Sequence, residues 1–356
     1  MPFSALPAEI LNRIVSFVPV ASLPSLCVVC RALQAPAQAK LYSTLQLGQP
    51  SQAFRLCSTL VARPNLAHLV KTAWFFLDPR RTSHRGALPQ QYWLAVKAAL
   101  TQTAALETLV LFDPTFGTTW VLDFADAPFQ LTEAKLKLRW DTHLVRFLES
   151  QVQLKNLQIP DHPEPADAPV ISPNALPALC QIEASSFIVT QLANCPLTNI
   201  QTVLSAPSGE TLPRLLACLP KWRGLRSLNI IDLPAGPTAE EFNSETVNRI
   251  ADSAPNLEHL GILPLPCMKR NGFHRALTRL YNLRTLELDL GAWVPQPSIH
   301  LQRALVMEMH IYRPTLQLVA LWAGGDRRFD WSMDAETGEW TYYPHQNGMD
   351  VLWRRA

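Results

Sequence analysis

Cys27 and Cys30 form a C-x-x-C, a spacing that serves either thiol–disulfide exchange or half of a tetrahedral zinc site. Neither chemistry finds its remaining parts. A structural zinc needs two further ligands, and nine scattered histidines provide no closely spaced pair. A redox pair sits at a helix N-terminus after a strand, where the dipole lowers the thiol pKa, whereas these two fall in an apolar helical stretch. Cys57, Cys180, Cys195, Cys218 and Cys267 lie in or beside predicted helices and strands without a histidine partner, so a thioester-forming ligase is not supported. Asp123 with Asp126, and Glu240 with Glu241, read as solvated helix starts rather than acid–base pairs. There is no G-x-S-x-G, no Walker-type loop, no H-E-x-x-H and no EF-hand run. We therefore expect no catalytic residue, no metal site and no cofactor, and look for function in binding.

Composition narrows the partner. A net charge of +2 over 356 residues does not favour nucleic acid, which calls for a clustered basic face, and no polybasic segment invites a membrane. Residues 14–30 are uncharged but contain two prolines and are too short to span a bilayer comfortably. Seven scattered cysteines and no signal peptide predict reduced thiols in the cytoplasm or nucleus. Length allows two or three domains or one long repetitive one.

The elements that would position a binding surface begin at once. In residues 8–18, Ile10, Leu11, Ile14, Phe17 and Val18 recur at the three- and four-residue steps of an amphipathic helix, which Pro19 ends. Ser22 is placed to cap a second helix with Pro24 in its first turn and Leu23, Leu26, Val29, Cys30 and Leu33 along its stripe, up to a stop at Pro36. A third helical piece, residues 37–42, ends in Leu41 and Tyr42. Three short helices cannot bury so many apolar side chains, so several should stay at the surface as a binding patch. An ordinary helical hairpin closing the fold behind it is the plainer alternative.

The order Leu6, Pro7, Ala8, Glu9, Ile10, then Ile14, Phe17, Leu23, Leu26, Val29, Cys30, Arg31 and finally Leu41 with Tyr42 resembles the F-box. The departure is Leu33, where many members carry Trp. The resemblance implies docking on a Skp-type adaptor and, through it, on the cullin and RING subunits of an SCF ubiquitin ligase. The contact residues it implies are Leu6, Pro7, Ile10, Ile14, Phe17, Val18, Leu23, Leu26, Val29, Leu41 and Tyr42.

Behind a strand at residues 43–47 and a helix at 49–63, a phrase Leu-x-x-Leu-x-Leu returns. It appears at Leu66 and Leu69; Leu106, Leu109 and Leu111; Leu154, Leu157 and Ile159; Leu225, Leu228 and Ile230; Leu257, Leu260 and Ile262; Leu283, Leu286 and Leu288; and Leu316, Val319 and Leu321. Weaker copies sit at Leu136 with Leu138, Leu179 with Ile182 and Leu197 with Ile200. Late copies start at 197, 225, 257, 283 and 316, at steps of 28, 32, 26 and 33 residues, and helical spacing fills the intervals. A strand plus one helix cannot cover both faces of its strand, so the units must stack. This resembles a degenerate leucine-rich repeat, joined to an F-box as in the F-box/leucine-rich-repeat proteins, although the family's Asn or Cys after the Leu-x-Leu step is mostly missing. A doubly wound sheet also alternates strand and helix, but a Gly-rich phosphate turn is lacking.

The expected fold is therefore α/β: an F-box at residues 1–45, a curved parallel sheet with outer helices at 46–325, and an aromatic β-hairpin at 326–356. In that last segment Phe329, Trp331 and Met333 alternate ahead of a turn at 334–338, and Trp340, Tyr342 and Tyr343 follow it. With Trp322 and Trp353 these rings are expected to cap the last repeat. The proline-rich loop holding Pro160, Asp161, Pro163, Glu164, Pro165, Asp167, Pro169 and Pro173, and the basic loop at 78–89 with Arg80, Arg81, His84 and Arg85, read as solvated connections first and partner contacts second. Alternation points Arg226, Asn229, Glu258, His259, Arg284 and Glu287 outward between the buried leucines, as candidate contacts to a protein substrate. The whole is expected to be a non-catalytic substrate receptor; the alternative is a leucine-rich interaction scaffold unconnected to ubiquitination.

Overall fold

The computed structural model describes residues 6–76, 87–159, 167–204, 208–324, 327–344 and 352–355. The basic residues at 80–85 and the prolines at 160–165 lie outside this set. The chain divides into two compact units, one built from residues up to Ile159 and from Asp167–Pro177, the other from Ala178 onward. The boundaries expected at 45 and 325 fall inside these units, and residue 45 already lies in a paired strand.

The first unit opens with α1 (Ala8–Phe17), which starts behind Pro7, carries Glu9 in its first turn and ends at extended Val18 ahead of Pro19. A 3-10 turn at Val20–Ser22 runs straight into α2 (Leu23–Val29). The expected Ser22 cap is thus not made: Ser22 already has helical backbone angles and its side chain bonds no amide. Nor does Pro36 stop a helix. The break falls at extended Cys30, and α3 (Arg31–Ser43) carries Pro36 inside it, where the ring removes the bond to the Ala32 carbonyl. Leu11, Val15, Leu23, Leu33 and Ala37 form the shared core of the three helices.

From Ser43 the chain passes directly into β1 (Thr44–Leu47), followed by α4 (Pro50–Ala62), a short α5 (Pro64–Ala67), β2 (Thr72–Phe75), α6 (Gln90–Leu100), β3 (Thr108–Phe112), β4 (Glu133–Lys137), α7 (Thr142–Glu149) and β5 (Asn156–Gln158). The five strands pair in parallel and in chain order, aligning Leu45, Ala73, Leu109, Ala134 and Leu157 in one buried column. Between β3 and β4 a 3-10 turn at Thr119–Leu122 replaces a helix. The copy expected at Leu66 and Leu69 is displaced. Leu69 is half-buried while Val70, Ala73 and Phe75 fill the core positions, a phrase hidden because none of its residues is leucine.

The second unit repeats the plan with β6 (Gln181–Ser185), α8 (Ser186–Gln191), β7 (Asn199–Val203), α9 (Ser208–Cys218), β8 (Ser227–Ile231), α10 (Glu240–Ser253), β9 (His259–Pro264), α11 (Asn271–Arg279), β10 (Thr285–Asp289), α12 (Ile299–Tyr312) and β11 (Leu318–Trp322). These strands are again parallel and in chain order, aligning Ile182, Ile200, Leu228, Leu260, Leu286 and Val319. Within each unit the order never reverses, as a doubly wound sheet requires. Crossovers between neighbouring parallel strands of one sheet are right-handed as a rule, which sets the connecting helices on one face and leaves the other free of them. One copy differs from expectation. At β9 the register shifts, so Leu263 rather than Ile262 pairs with Leu288 in the core.

β12 (Arg328–Met333) pairs antiparallel with β11, and β13 (Trp340–Pro344) pairs antiparallel with β12. Asp334 makes the turn by accepting from the Glu336 and Thr337 amides at 2.8 and 2.9 Å, with Gly338 at φ +70°. Trp331 and Trp340 are buried there, whereas Trp353 lies apart from this hairpin, over β7 to β9. Among the described residues no single helix is long and apolar enough to cross a membrane; α1 and residues 20–29 reach that length only as a pair bent by 119°.

Candidate functional site

Two surfaces carry the residues singled out by sequence. On the first, α1 turns Leu11 and Val15 inward and leaves Ile10, Ile14 and Phe17 on an outer stripe, with Phe17 79% exposed. Pro7, Val20, Val28 (84% exposed) and Val29 are also exposed on the three helices, so the apolar patch is larger than the expected set by Val20 and Val28. Leu6, Val18, Leu26 and Leu41 are partly buried against the helical core, and Tyr42 is half-buried. Leu23 has no exposed surface: it is the centre of the three-helix core and not a contact residue. Leu33, at the position of the family's Trp, is likewise core.

Sequence reasoning missed Lys40. From α3 its Nζ donates to the carbonyls of Val15, Ser16 and Val18 at 3.1, 2.9 and 2.6 Å, a cation set on the negative end of α1. This clasp holds the turn that presents Phe17. A lysine spaced from apolar neighbours on α3 gives no signal of it, because its acceptors are backbone carbonyls distant in the chain.

The second surface is the helix-free face of the second unit. Arg226 and Arg284 are exposed at the strand starts, and Arg226 Nε lies 3.9 Å from Oε1 of half-buried Glu258. The other three expected contacts, Asn229, His259 and Glu287, are not outward surface. They are buried together as a polar row crossing the sheet. His259 Nε2 lies 2.7 Å from Asn229 Oδ1 and its Nδ1 2.6 Å from Thr285 Oγ1, which fixes the tautomer with the proton on Nε2. Asn229 Nδ2 donates to Gln201 Oε1 and Glu287 Oε1 at 3.3 and 3.4 Å, and Trp322 Nε1 donates to Glu287 Oε2 at 2.9 Å.

Burial, with help from the Arg328 charge, lowers the His259 pKa to about 3, so its 3.4 Å approach to Glu287 is made by a neutral ring. Burial also raises the Glu287 pKa, against the opposing pull of Arg328 and the bonds from Trp322 and Asn229. Gly261 belongs to this row: a Cβ there would meet Glu287 Cβ at 2.5 Å and Asn229 Oδ1 at 2.9 Å. Such a row fixes register and shape and exchanges no proton with solvent.

Elsewhere, burial pushes the thiols of Cys57 and Cys195 up to about 12 and about 11, which removes them as nucleophiles at neutral pH. Among the described residues no three His, Cys, Asp or Glu side chains are grouped to hold a metal.

The F-box domain family model matches residues 3–35. The match takes in Ile10, Ile14, Phe17, Val20, Val28 and Val29, while Lys40, Leu41 and Tyr42 lie beyond it. No curated protein matches the chain. F-box domains bind Skp-type adaptors within SCF complexes, so the domain points to an adaptor-binding subunit of an SCF-type ubiquitin ligase.

Proposed function

We propose that the chain is the substrate-recognition subunit of an SCF-type cullin ubiquitin ligase, acting without catalytic residues of its own in the cytoplasm or nucleus. The adaptor is held by Pro7, Ile10, Ile14, Phe17 and Val29, extended by Val20 and Val28 and bordered by Leu6, Val18, Leu26, Leu41 and Tyr42. The observation that carries this reading is apolar side chains left in water on the helices matched as an F-box domain, a state that a partner's coverage relieves. The parallel sheets behind it are read as a degenerate leucine-rich-repeat solenoid, supported by the recurring phrase and the chain-order strands, with β12 and β13 capping its last repeat. A protein substrate is held on the helix-free face, entered past Arg226, Glu258 and Arg284. Cullin and RING subunits join through the adaptor. The chain's contribution to ubiquitin transfer is proximity, turning a bimolecular encounter into a local one.

Capture of purified Skp-type adaptor by the full chain tests the reading. Binding is expected with wild type and lost in the Ile14→Asp, Phe17→Asp double variant, whose exposed positions leave the fold intact. Undiminished binding by that variant, or none by wild type, would overturn it.

A further inference from the structure

The helix-free face of the second unit has nothing from its own repeats to cover it, yet Asn199, Ser227 and His259, neighbours on three adjacent strands, are almost wholly buried. What buries them comes from far along the chain. A 3-10 turn at Leu352–Arg354 lies across β7, β8 and β9, with Trp353 itself only 2% exposed. The Trp353 carbonyl accepts from Asn199 Nδ2 at 2.7 Å and the Arg354 carbonyl from Gln181 Nε2 at 3.4 Å. Arg354 Nη2 donates to Glu183 Oε2 at 2.9 Å, and its guanidinium stands 5.0 Å from the Trp353 ring centre.

These are the attachments of a short linear peptide: main-chain carbonyls read by amide side chains, one large buried ring and one cation on a carboxylate. Glu183 sets the charge that the site accepts, and the two amides accept any backbone.

We propose that the row of Glu183, Asn199, Ser227 and His259 is a binding site for a linear protein segment bearing an aromatic residue followed by arginine, and that the chain's own C-terminal turn occupies it until a partner's segment displaces it. This rests on the reading of the helix-free face as the receptor surface. It adds the chemistry of the ligand and an internal competitor.

The test is fluorescence anisotropy with a labelled peptide of residues 351–356, offered to the intact chain and to a chain ending at residue 344. The shortened chain should bind the peptide, and the intact chain at least about tenfold more weakly, because a tethered segment competes at millimolar effective concentration. Glu183→Arg in the shortened chain should abolish binding, and a peptide carrying Arg354→Glu should restore it. A folded shortened chain that ignores the peptide, or equal binding by both chains, overturns the proposal. Should the shortened chain not fold, the full-length Trp353→Ala variant replaces it. Peptide binding above the wild-type level then supports the proposal, and binding at the wild-type level or loss of the variant's unfolding transition overturns it. Adaptor capture measured in parallel separates the two readings: capture without peptide binding sinks this inference alone, and peptide binding without capture sinks the ligase reading alone.

Discussion

The helices α1 to α3 and the helix-free face of the second unit depart from ordinary burial in opposite directions. The helices keep Phe17 and Val28 in water, whereas the sheet takes Asn229, His259 and Glu287 out of it. Exposed apolar surface needs no internal compensation and can wait for a partner. A buried polar row cannot wait, since each donor and acceptor must be answered within the fold, and here Gln201, Thr285 and Trp322 answer them. The contrast separates apolar residues left exposed from polar residues answered within the fold, although both kinds depart from the same hydrophobic pattern.

Substitutions can break this contrast or sharpen it. Leu23→Ala should have the largest effect, about 2–5 kcal/mol of stability in a urea titration, because Leu23 is the sealed centre of the three helices, and adaptor binding should fall with it. Phe17→Ala should instead leave the unfolding midpoint unchanged and weaken adaptor affinity by about 1.5–3 kcal/mol in calorimetry, the value of burying one such ring. If both variants lose stability alike, Phe17 is core and the distinction fails. Gly261→Ala should cost about 1–3 kcal/mol of stability with adaptor affinity unchanged, as the added methyl drives into Glu287 and Asn229.

The smallest effect is in pH. The His259 pKa is lowered on folding, so the unfolded chain binds a proton below its ordinary value of 6.5 that the folded chain refuses, and stability is lost as pH falls from there toward about 3. Between about pH 7 and 6 this amounts to about 0.7 kcal/mol. Glu287, whose pKa is raised, works in the opposite sense, with stability lost as pH rises above its ordinary value of 4.5 toward its folded value. The difference in slope between wild type and His259→Gln isolates the histidine; parallel slopes would mean that the ring titrates normally.

Much of the architecture was legible because leucine at fixed steps carries it. Leu286, Leu288, Leu316 and Leu321 are core where the phrase put them, and helices fill the intervals between the late copies. The copy at Val70, Ala73 and Phe75 escaped because burial depends on volume and side, which alanine and phenylalanine also satisfy. Ile262 was misplaced because a register shift moves the core position by one residue, and nothing local announces it. Pro36 misled because a proline that costs one hydrogen bond is not a stop. At the site, exposure could not be read from periodicity: Leu23 and Phe17 obey the same pattern and end on opposite sides of it. Alternation set Asn229, His259 and Glu287 apart from the leucines, but it could not foresee that they would be buried and bond to one another or that residues so late in the chain as Trp353 would return to their neighbours.

The join between Ser43 and Thr44 has a mechanical consequence. Helix α3 becomes the first strand of the sheet without one intervening residue, and β1 is locked to β2 over its whole length. There is no swivel at that joint. A partner grasping α1 would therefore grip a handle cast in one piece with the β1–β5 blade, and the aim of that blade would be inherited from the grip instead of being searched for by diffusion.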